Sequence, residues 1–222
     1  MMSGSPGSRW TVLLPVKPFA LGKSRLGSWA GAARRDIARA IFLDTMDAIL
    51  HTPEVCRLIV VTADPEAHAL AAGAGAEGIH EASVGGLNAA ARLGAAAAAA
   101  AAAGHGAGVR TDPVAVVAAD LPALKPRELA SVLAEAGPHP RAVLADHRGH
   151  GSTVLTAQDP SFLLPGFEGA SRARHAANGA YEIAHSGVPG ARLDVDVPGD
   201  LALAAALGLG THTAAVQANL PQ

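Results

Sequence analysis

Aromatic residues are scarce in this sequence: two Trp, one Tyr and four Phe make up 3% of 222 residues. Nucleic-acid bases would therefore find few rings to stack on, and the core has to be filled by Ala, Val, Leu and Ile. Cysteine occurs once, at Cys56, which excludes an intrachain disulfide and any multi-cysteine zinc site. Beside the apolar run Leu58 to Val61 it reads as a small buried hydrophobe. Charge of one sign is not in excess. A formal net charge of -2 provides no basic field for a polyanion, so no nucleic-acid partner is expected. No apolar run is long enough for a bilayer. The nearest candidate, Ala95 to Ala103, is too short and too weakly apolar, so no membrane partner is expected. The segment Met1 to Arg9 is rich in Gly and Ser and lacks the apolar core of a secretory signal. The expected location is the cytoplasm.

What is present is a large apolar fraction, 50% of the chain, enough for one sizeable core. Short β-branched runs alternate with longer Ala- and Leu-rich stretches, which predicts an α/β fold of one domain, a mainly parallel twisted sheet flanked by helices on both faces. Strands are expected at Thr11 to Val16, Arg57 to Thr62, Gly78 to His80, Val114 to Ala118, Ala142 to Ala145, Thr153 to Thr156 and Arg192 to Val195. The first and fourth are almost wholly apolar, as central parallel strands should be. Helices are expected at Ala33 to Leu50, Pro65 to Ala74, Asn88 to Ala103, Pro126 to Ala136, Ser171 to Asn178 and Pro198 to Leu207. Pro65, Pro126 and Pro198 fit the first helical turn, where a missing N–H costs nothing. The alanine run reads as a helix packed closely on the sheet. The expected organisation is a disordered N-terminus over residues 1–10, a catalytic domain over 11–210 with a surface loop at Gly104 to Asp112, and a tail over 211–222.

Five segments could carry chemistry. After the first strand, Pro15-Val16-Lys17-Pro18-Phe19-Ala20-Leu21-Gly22-Lys23-Ser24-Arg25 gathers three cations, Lys17, Lys23 and Arg25, around Gly22, a loop able to wrap nucleotide phosphates. It is neither a Walker loop nor a dinucleotide fingerprint. Asp120-Leu121-Pro122 ends an apolar strand and so faces the crevice where open α/β sheets bind ligands; a hard oxygen ligand suits magnesium. In Asp194-Val195-Asp196 the carboxylates lie two apart and would share a strand face, repelling each other unless a cation or proton intervenes. Asp200 is placed to serve the dipole of the following helix. Gly149-His150-Gly151-Ser152-Thr153 and Phe167-Glu168-Gly169-Ala170-Ser171, with His175 one turn on, offer close backbone approach and hydroxyl groups to an anion. Gly85-Gly86-Leu87-Asn88 enters the alanine helix, where Asn88 either caps the helix or hydrogen-bonds a base. No histidine is assigned to metal.

In their order and spacing these segments, from about Thr11 to Leu207, resemble the guanylyltransferases of deazaflavin coenzyme synthesis, which act on phosphoenolpyruvate or 2-phospho-L-lactate. The resemblance implies a nucleotidyltransferase fold related to the sugar-nucleotide and molybdenum-cofactor transferases, GTP as cosubstrate, magnesium as cofactor and a homodimer. It places the metal on Asp120, Asp194 and Asp196. The acceptor falls on Thr153, Glu168 and Ser171, with His175 beside them, and the nucleotide on Pro15, Lys17, Lys23, Arg25, Gly86 and Asn88. Lys17 and Lys23 would act in catalysis by steadying the leaving pyrophosphate. Glu168 stands where the family usually has glycine; a backbone contact survives that change, whereas an inward carboxylate would repel an anion. The Ala-rich composition suggests a high-GC bacterial source, and the resemblance, whose bacterial members are associated with phosphoenolpyruvate, then implies that acid as acceptor. Competing readings are a molybdopterin or sugar-phosphate nucleotidyltransferase, a noncatalytic GTP-binding regulatory protein, and a plain structural domain.

Overall fold

A computed structural model of the chain describes residues 9–26, 30–81, 85–103 and 112–219. Seven strands form one sheet: β1 (Trp10–Val16), β2 (Val55–Thr62), β3 (Glu77–His80), β4 (Val114–Val117), β5 (Arg141–Ala145), β6 (Ser152–Ala157) and β7 (Tyr181–Glu182). Their spatial order is β3-β2-β1-β4-β6-β5-β7. All pairings are parallel except those of β6 with β4 and β5. The two most apolar strands, β1 and β4, are buried at every position and lie centrally, where no face meets water. From β1 the chain runs to β2 on one side, and β4 arrives on the other, which makes their shared carboxyl edge the topological switch point. Pairing of β1 with β4 stops at Leu13 opposite Val116; beyond it both chains turn into the loops that build the site.

The helices are α1 (Arg34–Leu50), α2 (Pro65–Gly73), α3 (Leu87–Ala103), α4 (Pro126–Ala136), α5 (Ser171–Ala177), α6 (Pro189–Arg192), α7 (Pro198–Leu207) and α8 (Thr211–Gln217). Pro65, Pro126 and Pro198 do open their helices. Two apolar layers cover the sheet. Val12 and Leu14 pack with Phe42, Met46 and Leu129 on one face, and Leu13, Ile59 and Val61 with Ala90, Ala91, Ala95 and Ala98 of α3 on the other. The alanine helix is a close-packing device. A Cβ added at Gly94 would lie 3.2 Å from Leu13 Cδ2 and 3.3 Å from Val61 Cγ2, so α3 approaches the sheet as far as a missing side chain allows.

Three expectations change. Arg192 to Val195 is not a strand: α6 ends at Arg192, and residues 193–196 are extended but unladdered. The backbone bonds singly on each side, His147 N to Arg192 O at 2.8 Å and Val195 N to Asp120 O at 3.1 Å. The alternation survives without the ladder. Leu193 and Val195 are 4% and 0% exposed, which turns Asp194 and Asp196 to the other side together. The tail forms α8, because buried Asp44 of α1 accepts from the N–H groups of His212 (2.9 Å) and Thr213 (2.7 Å) at its first turn. Cys56 is half-buried, with its thiol donating to Trp10 O at 3.4 Å. The expected disorder of the extreme N-terminus and the loop character of 104–111 fall outside the described residues, apart from Arg9 and Trp10, and Trp10 belongs to β1.

Candidate active site

The loop after β1 is clamped from outside. Buried Asp64 caps α2 and also accepts from Phe19 N at 2.8 Å, while Arg34 of α1 donates to Ala20 O at 2.6 Å and to Gly22 O. So held, the loop turns at Lys23, whose φ of 53° lies in the left-handed region, an arrangement costly for a side-chain-bearing residue and often found at functional sites. The Lys23 ammonium is thereby directed inward, 2.6 Å from Asp120 Oδ2 and 3.6 Å from Asp196 Oδ1. Arg25, exposed, lies 3.4 Å from Asp196 Oδ2. Asp120 itself is fixed by its neighbours: Leu121 N donates to Thr45 Oγ1 at 3.1 Å, and Asp120 O receives Val195 N. The bond from Val195 ties the Asp194 to Asp196 segment to the end of β4.

Electrostatics sharpen this corner. Burial lowers the affinity of Lys23 for its proton, yet the Asp120 charge and hydrogen bond, with Asp196 and Asp194 behind, leave its pKa raised. Asp194 is pushed up to about 6, first by burial and then by the Asp120 and Asp196 charges. Its Oδ1 is buried without a hydrogen bond, with the His147 ring 3.4 Å away. Among the described residues no group of three His, Cys, Asp or Glu side chains stands ready to hold a metal ion; the Lys23 ammonium lies between two of the carboxylates instead. Asp200 sits outside this group. Although burial alone would raise its pKa, it is lowered, because the N–H groups of Asp196 and Val197 and the Arg148 guanidinium all donate to it.

These groups line one wall of a cavity of about 700 Å³. Pro15, Lys17, Lys23, Arg25 and Gly86 border it, as do Asp120, Asp194 and Asp196, and so do Glu168 and Ser171. Glu168 has a φ of 85°, a backbone state that favours glycine, and its Oε1 comes 3.4 Å from where a Cβ on Gly86 would be. Its side chain thus reaches toward the Gly86 loop.

Three sequence-predicted residues do not border the cavity. Thr153 is 1% exposed and donates to Ala191 O at 2.7 Å; the neighbouring hydroxyl, Ser152, is the one that faces the space. Asn88 uses its amide on the backbone of Phe167, accepting from N at 2.7 Å and donating to O at 3.1 Å, so it braces the opposite wall and is not left for a base. His175 is 1% exposed; its Nε2 accepts from Gly166 N at 2.9 Å and its Nδ1 meets Ser152 Oγ at 3.1 Å. Burial first, then the charges of Arg174 and Arg141, lower its pKa to about 4, so the ring is neutral. Sequence reasoning named Ser152 within its segment but chose Thr153, and missed Arg148 and Asp146 as lining residues. The Asp146 carboxylate accepts from the N–H groups of His150 and Gly151 at 2.9 Å each, the signature of a side-chain-closed turn, which Asp146 preceding Gly149 and Gly151 could have signalled.

Comparisons with known proteins bear on the family and the fold. The family described as "Guanylyl transferase CofC like" matches residues 10–214. A Streptomyces coelicolor protein named phosphoenolpyruvate guanylyltransferase is 46% identical over 213 residues, covering 96% of this chain and 97% of its own. A Thermomonospora curvata protein of the same name is 42% identical, covering 96% and 90%. A solved 4-diphosphocytidyl-2C-methyl-D-erythritol synthase superposes with a TM-score of 0.60 at 15% identity, covering 90% of this chain and 99% of the other. One from Anaerococcus prevotii gives 0.57 at 9% identity, covering 95% and 97%. These structural likenesses establish the nucleotidyltransferase type of fold. By the extent of the family match and the identity to its relatives, the chain belongs to the CofC-like guanylyl transferase family.

Proposed function

We propose that the protein transfers the guanylyl group of GTP to the phosphate of phosphoenolpyruvate, releasing pyrophosphate, as a step of deazaflavin coenzyme synthesis. The observation that carries this reading is that a basic loop, three carboxylates and the hydroxyl groups of Ser152 and Ser171 all border one cavity. The relatives' shared name favours phosphoenolpyruvate over 2-phospho-L-lactate.

A phosphate monoester has its second pKa at about 6, so the acceptor is already a dianion near neutral pH and its oxygen can attack the α-phosphorus without a general base. The chain's part is to position and to neutralise charge. Lys17, Lys23 and Arg25 take the β- and γ-phosphates as pyrophosphate departs, Lys23 exchanging its carboxylate partners for phosphate oxygens. Once Lys23 has left them for the phosphates, Asp120, Asp194 and Asp196 would be free to draw together and hold magnesium, whose charge when bound offsets that of the α-phosphate. Their hard oxygen donors, one of them buried and unpaired, suit that ion. Gly86, with a φ of 81°, leaves backbone open to the nucleotide.

The reading includes a homodimer in the cytoplasm, where GTP is plentiful. Exposed Phe162 and Leu164, on a turn packed against α3, supply an apolar surface for self-association, and sedimentation of the purified protein measures it. Activity is tested by pyrophosphate release with GTP, magnesium and, in turn, phosphoenolpyruvate, 2-phospho-L-lactate and 3-phosphoglycerate. Release fastest with phosphoenolpyruvate is expected; release with none of the three would overturn the reading.

A further inference from the structure

Three polar side chains at the edge of the cavity form a chain of hydrogen bonds whose direction is set at His175. Gly166 N donates to His175 Nε2, so in the neutral ring the proton is on Nδ1, which therefore donates to Ser152 Oγ at 3.1 Å. Ser171 Oγ, buried in the first turn of α5, donates to the same Ser152 oxygen at 3.2 Å. Both lone pairs of Ser152 are then occupied, and its own hydroxyl hydrogen has no acceptor among the described residues. If the two serines exchange roles, one hydroxyl hydrogen is still left over, because three donor hydrogens serve two oxygens. Both serines border the cavity. A hydroxyl that already accepts two hydrogen bonds is a polarised donor, and here it faces the space in which the substrates meet.

We propose that the Ser152 hydroxyl, oriented by Ser171 and His175, donates to the carboxylate of the acceptor acid and so selects phosphorylated acids over plain phosphate esters. The inference rests on guanylyl transfer to such an acid. The carboxylate is the group that fits. The cations Lys17, Lys23 and Arg25 border the cavity on the loop after β1 and match the multiply charged phosphates. Around Ser152 the one lining guanidinium, Arg148, is paired with Asp200 at 2.6 Å, and Asp146 has its carboxylate turned to backbone N–H groups. A neutral, directional donor suits a group of single charge. Ser152 is thus a substrate-binding residue and His175 a positioning residue behind it.

Enzyme variant and substrate truncation together test this. Ser152→Ala is expected to raise the KM for phosphoenolpyruvate about tenfold to a hundredfold, the usual size of a hydrogen bond to a charged group, with the KM for GTP and the melting temperature little changed. Ser152→Thr, which keeps the hydroxyl, restores most of the affinity. Vinyl phosphate, which is phosphoenolpyruvate without its carboxylate, should bind wild type and Ser152→Ala equally, as substrate or as inhibitor. His175→Phe keeps a ring against Phe167 and is expected to show the same split between the two ligands at smaller size. An unchanged KM for phosphoenolpyruvate in Ser152→Ala, or equal losses with both ligands, would overturn the proposal while leaving guanylyl transfer standing. Failure of wild type to use phosphoenolpyruvate at all would overturn the transfer reading, and this inference with it.

Discussion

The two walls of the cavity are built on opposite principles. In its charged corner, Lys23, Asp120, Asp194 and Asp196 are crowded and incompletely satisfied, with a left-handed backbone at Lys23 and a buried carboxylate oxygen lacking a partner. Behind the part of the lining formed by Phe167, Ser152 and Ser171, Asn88 with Phe167, and His175 with Gly166 and Ser152, are neutral and closed into hydrogen-bonded pairs. Like charges held together favour whatever brings in cations, so the first wall is poised to rearrange when charged ligands arrive. The second is preformed, and contributes by fixed geometry.

This contrast can be broken most severely at Asp120. Asp120→Asn removes the nearer of the two carboxylate partners of Lys23 and one of three carboxylates; turnover is expected to fall about a thousandfold, the scale set by loss of one key electrostatic group, with circular dichroism unchanged. On the neutral wall the effect should be smaller and of another kind. Asn88→Ala frees the Phe167 backbone and should raise the KM for phosphoenolpyruvate about tenfold, with little change in kcat, as read from steady-state kinetics.

The smallest effects concern stability, and they separate the walls by sign. Asp194 ionises near 3.8 when unfolded and at about 6 when folded. Between these values unfolding releases a proton, so this group makes the fold less stable as pH rises through the window. Asp194→Asn should therefore raise the melting temperature of the ligand-free protein by about 2–4 °C at pH 7.5, with the gain vanishing near pH 3.5 in calorimetry, even as activity is lost. His175 goes the other way. Its unfolded value of 6.5 drops to about 4 on folding, so its contribution is present above 6.5 and is lost as pH falls toward 4. His175→Phe should flatten that acid limb of the stability curve.

Much of this was readable from sequence, for identifiable reasons. The central strands announce themselves because burial on both faces forces wholly apolar runs, as in β1 and β4. The pairing of Asp194 with Asp196 follows from an alternation that holds in any extended chain, and it survived the loss of the expected strand. Strand phase was the weak point. Ser152 and Thr153 both carry hydroxyls, and one step along an extended chain exchanges the two faces; only the packing of Thr153 against Ala191 O decides which of them meets the cavity. The brief elements β7 and α6, of two and four residues, carry too few positions for any period to register. Helix α8 depends on Asp44, far away in the chain. Likewise the side-chain roles of Asn88 and His175 are set by distant partners, Phe167 and Ser152, which no local pattern encodes.

The most direct test of the account follows the oxygen atoms. With phosphoenolpyruvate carrying heavy oxygen in its phosphate, GTP and magnesium, mass spectrometry of the products should find all the label in the guanylylated acid and none in pyrophosphate, as attack by the acceptor phosphate on the α-phosphorus requires. Label in pyrophosphate, or GMP released without a guanylylated acid, would contradict it.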